Sequence, residues 1–212
     1  SKQNVNLRNM IALVDTSGSM ETDNCLPLYN AIGLGIRISE KTSPAFKNRV
    51  LTFSAEPTWV NLDNCENFCD KVSTVKKAEW GMNTNIYKAF RLILAALEDS
   101  KMQPEEGENL TLAILSDMQI DSSQESGYNS NTLYKNIKKM FQEKGIELWG
   151  RPFNPPNILF WNLRKTNGFP TQATEDNVTM LSGYSPFLLN VLCEKGFDEL
   201  KKTNSYDLLK NM

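Results

Sequence analysis

The sequence of 212 residues contains no histidine. That absence excludes Ser-His-Asp and Cys-His nucleophilic catalysis, acid–base chemistry by imidazole, and every zinc site with a histidine ligand. The glycine-rich phosphate-binding patterns G-x-x-x-x-G-K-[ST] and G-x-G-x-x-G are absent as well. Any chemistry of this chain therefore depends on carboxylates, hydroxyls, amides, lysines or thiols.

Long apolar runs are also lacking. No stretch approaches the roughly 18 apolar residues that span a bilayer, and no basic-then-apolar segment at the start is typical of a signal peptide. The chain is 40% apolar and 23% charged, as globular proteins are. Its length favours one domain over residues 1–212, and we predict no membrane partner.

Charge of either sign is not in large excess. The net charge of −2 provides no electrostatic reason to bind nucleic acid or an anionic membrane. A local basic run is interpreted as the solvated face of a helix; it consists of Lys135, Lys138, Lys139 and Lys144. We therefore expect no nucleic-acid partner, although this run leaves the alternative open.

Cysteines are few, at positions 25, 65, 69 and 193. A chain long enough to bury a proper core does not need disulfides, so we predict a cytoplasmic location with reduced thiols. Cys65 and Cys69 fall on the apolar stripe of a predicted helix over residues 63–78, together with Phe68, Val72 and Val75. This stripe favours core packing of both thiols over half of a metal site.

Strand and helix patterns alternate along the chain. Continuous apolar runs predict strands at residues 10–14, 49–53, 110–115 and 158–163, and residues 57–62 are typical of an edge strand. Strands that are apolar on both faces belong in a parallel sheet covered by helices. The predicted fold is α/β, with a doubly wound, mainly parallel sheet, one antiparallel edge strand and helices on both faces.

The helices are predicted from periodicity and end signals. A capping box of Asp63 and Glu66 opens the helix over 63–78, Gly145 ends a later helix, and Ser185 caps the last one. The remaining helices are expected at residues 27–41 and 85–99, and the polar stretch 121–131 is expected to be a mobile loop.

Two of the strands end in carboxylates, at Asp15 and Asp117. In an open parallel sheet, ligands bind where the carboxyl ends of the strands meet the loops. The first acid opens the segment Asp15-Thr16-Ser17-Gly18-Ser19, in which alternate positions direct an acid and two hydroxyls into one crevice, with a sharp turn expected at Gly18. These hard oxygen donors suit Mg²⁺ or Mn²⁺.

This pattern resembles the metal-ion-dependent adhesion site of von Willebrand factor A (vWA) domains. The resemblance rests on Asp15-x-Ser17-x-Ser19, on Thr84 in Gly81-Met82-Asn83-Thr84-Asn85, and on Asp117 at a strand end. It implies that Ser17, Ser19 and Thr84 contact the metal directly, and that Asp15 and Asp117 bind it through water or directly. Thr84 is also expected to cap the helix that begins at Asn85.

The wider chain resembles the C-terminal A-type domain of a family seen in plants, fungi and giant viruses. The segments that carry this resemblance are Gly33-Leu34-Gly35, Leu51-Thr52-Phe53-Ser54, Trp80 to Thr84, Ser116-Asp117-Met118, Phe160 to Arg164 and Leu181 to Ser185. The resemblance implies that the domain is excised from a longer protein with helical sequence upstream, an arrangement similar to that of the Ro ribonucleoprotein. It also extends the expected location to the cytoplasm of a virus-infected host.

One departure from the A-type pattern concerns the last acid, which many of these domains follow with glycine. Here Met118 follows Asp117, so the loop towards Asp121 is expected to have a different shape. Asp121 and Glu21 are candidates for an outer shell of the metal site, or else solvated loop acids.

The leading functional hypothesis is a non-catalytic binding module whose Mg²⁺ or Mn²⁺ accepts an acidic group of a protein partner. One alternative is a Mg²⁺-dependent phosphotransfer enzyme with Asp15 as nucleophile, although haloacid-dehalogenase-like phosphatases require an acid where this chain has Ser17. The other is an RNA-binding module of a ribonucleoprotein, suggested by the Ro-like arrangement and the basic run. The sequence does not indicate an oligomeric state.

Overall fold

The computed structural model describes residues 9–78, 85–117, 130–163 and 178–183. In these ranges the strands are β1 (Met10–Asp15), β2 (Arg49–Phe53), β3 (Trp59–Asn61), β4 (Thr111–Ser116), β5 (Asn157–Asn162) and β6 (Val178–Ser182). The α-helices are α1 (Thr22–Lys41), α2 (Phe68–Lys77), α3 (Ile86–Asp99), α4 (Pro104–Glu108) and α5 (Ser130–Trp149), and a 3-10 helix spans Gly18–Glu21. No helix in this part of the chain combines the length and the apolar character needed to cross a membrane.

The strands form one sheet in the order β3-β2-β1-β4-β5-β6. Neighbouring strands are parallel except for β2 and β3, which are antiparallel. Strands β1 and β4 are buried at every residue, as expected for the centre of a sheet covered on both faces. The predicted α/β class, the mainly parallel sheet and the antiparallel edge strand are confirmed.

Helices cover both faces of the sheet, as predicted. Side chains of α1 and α2 pack with Ala12 and Val14 of β1, whereas side chains of α3 and α5 pack with Ile11 and Leu13. Alternate residues of a strand point to opposite faces, so β1 contributes to two separate apolar cores. Because both cores meet β1, the end of this strand is held from both sides.

The start of α2 differs from the predicted capping box. Asn67 is the N-cap, and its side chain accepts a hydrogen bond from the backbone N–H of Asp70 at 3.0 Å. Asp63 instead accepts a hydrogen bond from the Asn48 side chain at 2.9 Å, in the turn before the helix. The prediction that a capping box of Asp63 and Glu66 opens the helix is therefore wrong, because another partner engages the Asp63 carboxylate.

This later start changes the environment of the cysteines. Cys65 lies before the helix, is half-buried against the core, and has its Sγ 3.4 Å from the Thr74 hydroxyl. Cys69 is exposed, and so is Phe68, whereas Val75 is fully buried. The prediction that both thiols pack in the core is wrong for Cys69. Cys193 lies outside the described residues.

Helix α5 does not end at Gly145 as predicted. It continues to Trp149, and the residue after it, Gly150, has the positive φ of 70° that is common after a helix end. A Cβ at Gly145 would lie 2.6 Å from a ring carbon of Phe153 and 2.7 Å from the Arg151 carbonyl oxygen. This glycine therefore permits close packing inside the helix.

Helix α1 has an irregular beginning. Asp23, Asn24 and Cys25 have left-handed backbone angles, with φ between 52° and 61°. Regular helix follows this turn, with Pro27 in its first turn and Lys41 at its end, in agreement with the predicted range 27–41. Left-handed residues are unfavourable for side chains with a Cβ, so this entry segment is locally strained.

Three elements were not predicted, namely the 3-10 helix, α4 and β6. The helix predicted to start at Ser185 lies outside the described residues, as do residues 121–129 of the predicted mobile loop. Residues 130 and 131 of that stretch belong to α5.

Candidate metal site at the carboxyl edge of the sheet

The carboxyl ends of β1 and β4 adjoin the point where the strand order reverses. From β1 the chain proceeds to β2 and β3 on one side, and β4, β5 and β6 then extend the sheet on the other side. Such a switch point opens a crevice between the two strand ends, and ligands of open α/β sheets bind there. Asp15 is the last residue of β1, and Asp117 follows the last residue of β4.

The Asp15 carboxylate is only 2% exposed, and both of its oxygens accept hydrogen bonds. Oδ1 accepts from the backbone N–H of Ser17 at 2.9 Å, and Oδ2 accepts from the hydroxyl of Ser116 at 2.5 Å. Burial raises the pKa of Asp15 above its ordinary value, and the charge of nearby Asp117 raises it further, whereas the two serine donors lower it. The carboxylate is therefore well oriented but poorly compensated in charge.

Ser17 and Ser19 share a hydrogen bond of 3.1 Å between their hydroxyl oxygens, and both residues are half-buried. The turn that joins them starts with the bond from the Ser17 N–H to Asp15 and continues as the 3-10 helix, where the Met20 N–H donates to the Ser17 carbonyl at 3.0 Å. The φ of Gly18 lies outside the left-handed region, and a Cβ there would meet no atom within 4 Å. A tight turn does lie at Gly18, as predicted, and it brings Ser17 and Ser19 together, but it is a 3-10 turn that does not depend on the backbone freedom of glycine.

Asp117 is 1% exposed and directly follows Ser116, whose backbone pairs with Asn162 of β5. Because Val14 pairs with Leu115 in the parallel ladder, Asp15 lies opposite Ser116, and Asp117 follows Ser116 at the same edge of the sheet. The structure thus brings four of the five predicted site residues to one edge of the sheet, namely Asp15, Ser17, Ser19 and Asp117.

Thr84, the fifth predicted ligand, lies outside the described residues. The next residue, Asn85, donates its backbone N–H to the Ser54 carbonyl at 3.3 Å, directly after β2. Asn85 is also the N-cap of α3, because its side chain accepts from the Lys88 N–H at 2.9 Å. The prediction that Thr84 caps this helix is therefore wrong, since the cap is one residue later.

The outer acids and the basic run are at the surface where they are described. Glu21 is exposed at the end of the 3-10 helix, and Asp121 and Met118 lie outside the described residues. In the basic run, Lys139 forms an ion pair with Glu143, and Lys144 forms ion pairs with Glu98 and Glu147. These pairs fit the interpretation of the run as a solvated helix face.

The donor set suits a hard divalent ion. Among the described residues, no three Cys, Asp or Glu side chains converge. The edge instead combines two buried carboxylates with two adjacent hydroxyls, all of them oxygen donors of the kind that Mg²⁺ and Mn²⁺ prefer. Two buried negative charges are costly unless a cation or further donors compensate them. The residues therefore fit a divalent ion.

The contact between Ser116 and Asp15 was not predicted from the sequence. The Ser116 hydroxyl reaches Asp15 across two strands that lie 101 residues apart in the chain. The sequence feature that could have indicated this contact is a serine directly before an aspartate, at the end of an otherwise apolar strand.

Comparison with known proteins places the chain in a family. The model of that family, described as "Domain of unknown function (DUF7788)", matches residues 9–211. The chain belongs to the DUF7788 family. A relative from Acanthamoeba polyphaga mimivirus, "Uncharacterized protein L728", is 36% identical over 186 residues. The match covers 87% of this chain and 30% of the viral protein, so the DUF7788 chain spans under a third of that relative's length.

Three solved structures are similar to this DUF7788 domain. The Deinococcus radiodurans Ro (RSR) protein has a TM-score of 0.52 and 17% identity, over 90% of this chain and 35% of that one. Proximal thread matrix protein 1 of the mussel byssus has a TM-score of 0.46 and 13% identity, over 88% of this chain and 45% of that one. The SpRpn10 VWA domain has a TM-score of 0.46 and 12% identity, over 89% of this chain and 97% of that one. The likeness to the Ro protein concerns the fold alone.

Proposed function

We propose that this chain is a non-catalytic binding module of the vWA type. Its own residues hold Mg²⁺ or Mn²⁺ at the carboxyl edge of the sheet, through Asp15, Ser17, Ser19, Thr84 and Asp117. When bound, the ion supplies an electrophilic coordination position for an acidic oxygen of a protein partner. The observation that carries this proposal is the pair of buried carboxylates, Asp15 and Asp117, at the switch point between β1 and β4.

The hydroxyls of Ser17 and Ser19 support the same proposal. Their oxygens lie 3.1 Å apart on the turn that follows Asp15, so both can face one ion. Neutral hydroxyl ligands leave the charge of a divalent ion less neutralised than carboxylate ligands would. A site of this composition is suited to attracting an anionic group from outside.

The burial of Asp15 supports a non-catalytic role. A carboxylate nucleophile must reach its substrate, but Asp15 is 2% exposed and both its oxygens accept hydrogen bonds. The position two residues later, where haloacid-dehalogenase-like phosphatases have a second acid, is Ser17. Asp15 is therefore better suited to orienting a metal and its waters than to attacking phosphorus.

The exposed surface at the start of α1 supports a protein as the partner. In the first turns of α1, Leu26 is 49% exposed and Tyr29 is 47% exposed. The Lys76 ammonium lies 5.1 Å from the centre of the Tyr29 ring and donates a hydrogen bond to its hydroxyl. Tyrosine is enriched in protein interfaces relative to the rest of the protein surface. The start of α1 follows the 3-10 helix of the site directly in sequence.

Calorimetric titration with Mg²⁺ tests the metal site. Wild-type protein should bind Mg²⁺, and the double variant Ser17→Ala, Asp117→Ala should lose this binding. Thr16→Val is the matched control, because the Thr16 hydroxyl has no hydrogen-bond partner among the described residues although it lies between Asp15 and Ser17. Unchanged tight binding by the double variant would rule out the proposed site.

The partner is tested by affinity capture from the native source. Wild-type protein is compared with and without EDTA, beside a Ser17→Ala, Ser19→Ala variant. Metal-bridged partners should be lost both in EDTA and with the variant. Partners that persist under both conditions would contradict recognition through the metal.

A further inference from the structure

The hydroxyl of Ser116 connects the two central strands at the candidate metal site. Val14 pairs with Leu115 in the parallel ladder, so the next residue of each strand, Asp15 and Ser116, lie opposite each other. The Ser116 hydroxyl donates to Asp15 Oδ2 at 2.5 Å, and neither residue is more than 2% exposed. A hydrogen bond to a buried carboxylate is stronger than one between neutral groups.

Ser116 is itself held by the strand on its other side. It pairs with Asn162 of β5, and its carbonyl oxygen accepts from the Leu163 N–H at 2.9 Å. Asp117 is the next residue in the chain. Ser116 thus directly precedes one carboxylate of the site, Asp117, in the chain, and its side chain donates a hydrogen bond to the other, Asp15.

Each oxygen of the Asp15 carboxylate accepts a hydrogen bond from a different part of the chain. Its Oδ1 accepts from the backbone N–H of Ser17, a donor in its own loop that any residue except proline would supply. Its Oδ2 depends on a side chain from another strand. An alanine at position 116 would leave that oxygen without its described donor in a site that water hardly reaches.

We infer that Ser116 is a positioning residue of this site, whose hydroxyl fixes the Asp15 carboxylate relative to Asp117. The inference rests on the proposed metal-binding function. The Ser116 hydroxyl contacts Oδ2 from the neighbouring strand, so this hydrogen bond restricts the orientation of the Asp15 carboxylate. Groups that orient metal ligands in this way typically contribute ~10- to 100-fold to metal affinity.

The test is calorimetric titration of Mg²⁺ into wild type, Ser116→Ala and Ser116→Thr. We expect Ser116→Ala to bind ~10- to 100-fold more weakly and Ser116→Thr, which keeps the hydroxyl, to bind close to wild type. Ser39→Ala is the matched control, because Ser39 is equally buried but donates to a carbonyl within α1, at 2.7 Å. It should leave the affinity unchanged.

The outcomes separate this inference from the proposed function. Equal affinities of wild type and Ser116→Ala would overturn the inference and leave the metal site intact. Equal losses in the alanine and threonine variants would also overturn it, since the hydroxyl would then not matter. If wild type itself bound no Mg²⁺, the proposed function would fail and this inference with it.

A second measurement covers the case in which Ser116→Ala is too unstable to titrate. Thermal unfolding in EDTA is measured for Ser116→Ala in the wild-type and in the Asp15→Asn background. We expect a smaller loss of Tm in the Asp15→Asn background, because the buried group there is neutral. Equal losses in both backgrounds would indicate a packing effect and would overturn the inference.

Discussion

Asp15 is the residue at which fold stability and the proposed function oppose each other. It lies at the end of a central strand, is almost fully buried, and has a second carboxylate nearby. The serine donors orient it but bring no positive charge. Burial, followed by the charge of Asp117, places its folded-state pKa above the unfolded value, so ionisation of Asp15 lowers the free energy of unfolding as the pH rises.

Replacing Asp15 with asparagine should therefore stabilise the metal-free protein. The asparagine oxygen can accept from the Ser17 N–H, and its amide can donate to Ser116 after that hydroxyl rotates. At pH 7 in EDTA we expect a gain of about 1 kcal/mol, equivalent to ~2–4 °C in Tm for a domain of this size. Differential scanning calorimetry measures this change.

If the proposed site binds Mg²⁺, the same variant should not be stabilised by this ion. Wild type should then become more stable than Asp15→Asn as Mg²⁺ is added. A lower Tm of Asp15→Asn in EDTA would show that the buried charge of Asp15 is already compensated without metal.

At the scale of elements, the strands were predictable and several helix ends were not. β1 and β2 agree with the apolar runs to within one residue, because a covered parallel strand must be apolar at nearly every position. Helix ends depend on which partner a polar side chain finds. Asp63 had the sequence of a cap, but its carboxylate binds Asn48, a tertiary contact that no local pattern encodes.

Gly145 is a second position at which a local sequence pattern does not reveal a tertiary contact. Gly145→Ala would gain helix propensity, but its Cβ would lie 2.7 Å from the Arg151 carbonyl oxygen and 2.6 Å from the Phe153 ring. We expect a net loss of ~1–3 kcal/mol in the free energy of unfolding, measured by urea denaturation.

The control for this variant is Gly33→Ala in α1, where a Cβ would meet no atom within 4 Å. That change should stabilise the protein by ~0.5–1 kcal/mol, because alanine favours helix more than glycine does. Similar effects of the two substitutions would contradict the close contact at Gly145.

The ion pair between α1 and α2 should make their packing dependent on pH. Lys71 donates to Glu40 at 2.8 Å, and this contact lowers the pKa of Glu40 below its ordinary value. A lowered pKa stabilises the fold above the unfolded value of about 4.3, and this contribution is lost as the pH falls through the folded-state pKa. Glu40→Gln should cost ~0.5–1 kcal/mol at pH 7.

At a pH below the folded-state pKa of Glu40, wild type and Glu40→Gln should unfold at the same urea concentration. Glu143→Gln is the control, since Glu143 pairs with Lys139 at 3.7 Å on an exposed face and should change stability little at either pH. A cost of Glu40→Gln that does not depend on pH would contradict the ion pair as its source.

At the scale of the whole molecule, the sequence predicts the position of the candidate site better than the contacts between its residues. The alternation of side chains along a strand and the positions of the strand ends were enough to predict that Asp15, Ser17, Ser19 and Asp117 lie at one edge of the sheet. The contact of Ser116 with Asp15 requires the register of two strands that are far apart in the chain, and this register follows from packing of the entire sheet. The origin of the turn after Asp15 was missed for a different reason, because glycine suggested a conformation that Gly18 does not adopt.

Mg²⁺ should stabilise the whole domain by mass action if the proposed site binds it. At ~100 times the dissociation constant, the gain is about 2.7 kcal/mol, or ~5–10 °C in Tm for this size. EDTA should reverse it, and NaCl at equal ionic strength is the control. An equal shift in the Ser17→Ala, Asp117→Ala variant would assign the effect of Mg²⁺ to another place in the molecule.

The hydrogen bond between Ser116 and Asp15 has a consequence for folding kinetics. It closes a loop of 101 residues, and contacts of such long range form slowly because the chain entropy is lost before they are gained. Strand β1 can pair early with β2, but the site is completed only when β4 docks on its other edge. If the proposed site binds a metal ion, an ion added during refolding should therefore leave the early steps unaffected and bind only after the centre of the sheet has closed.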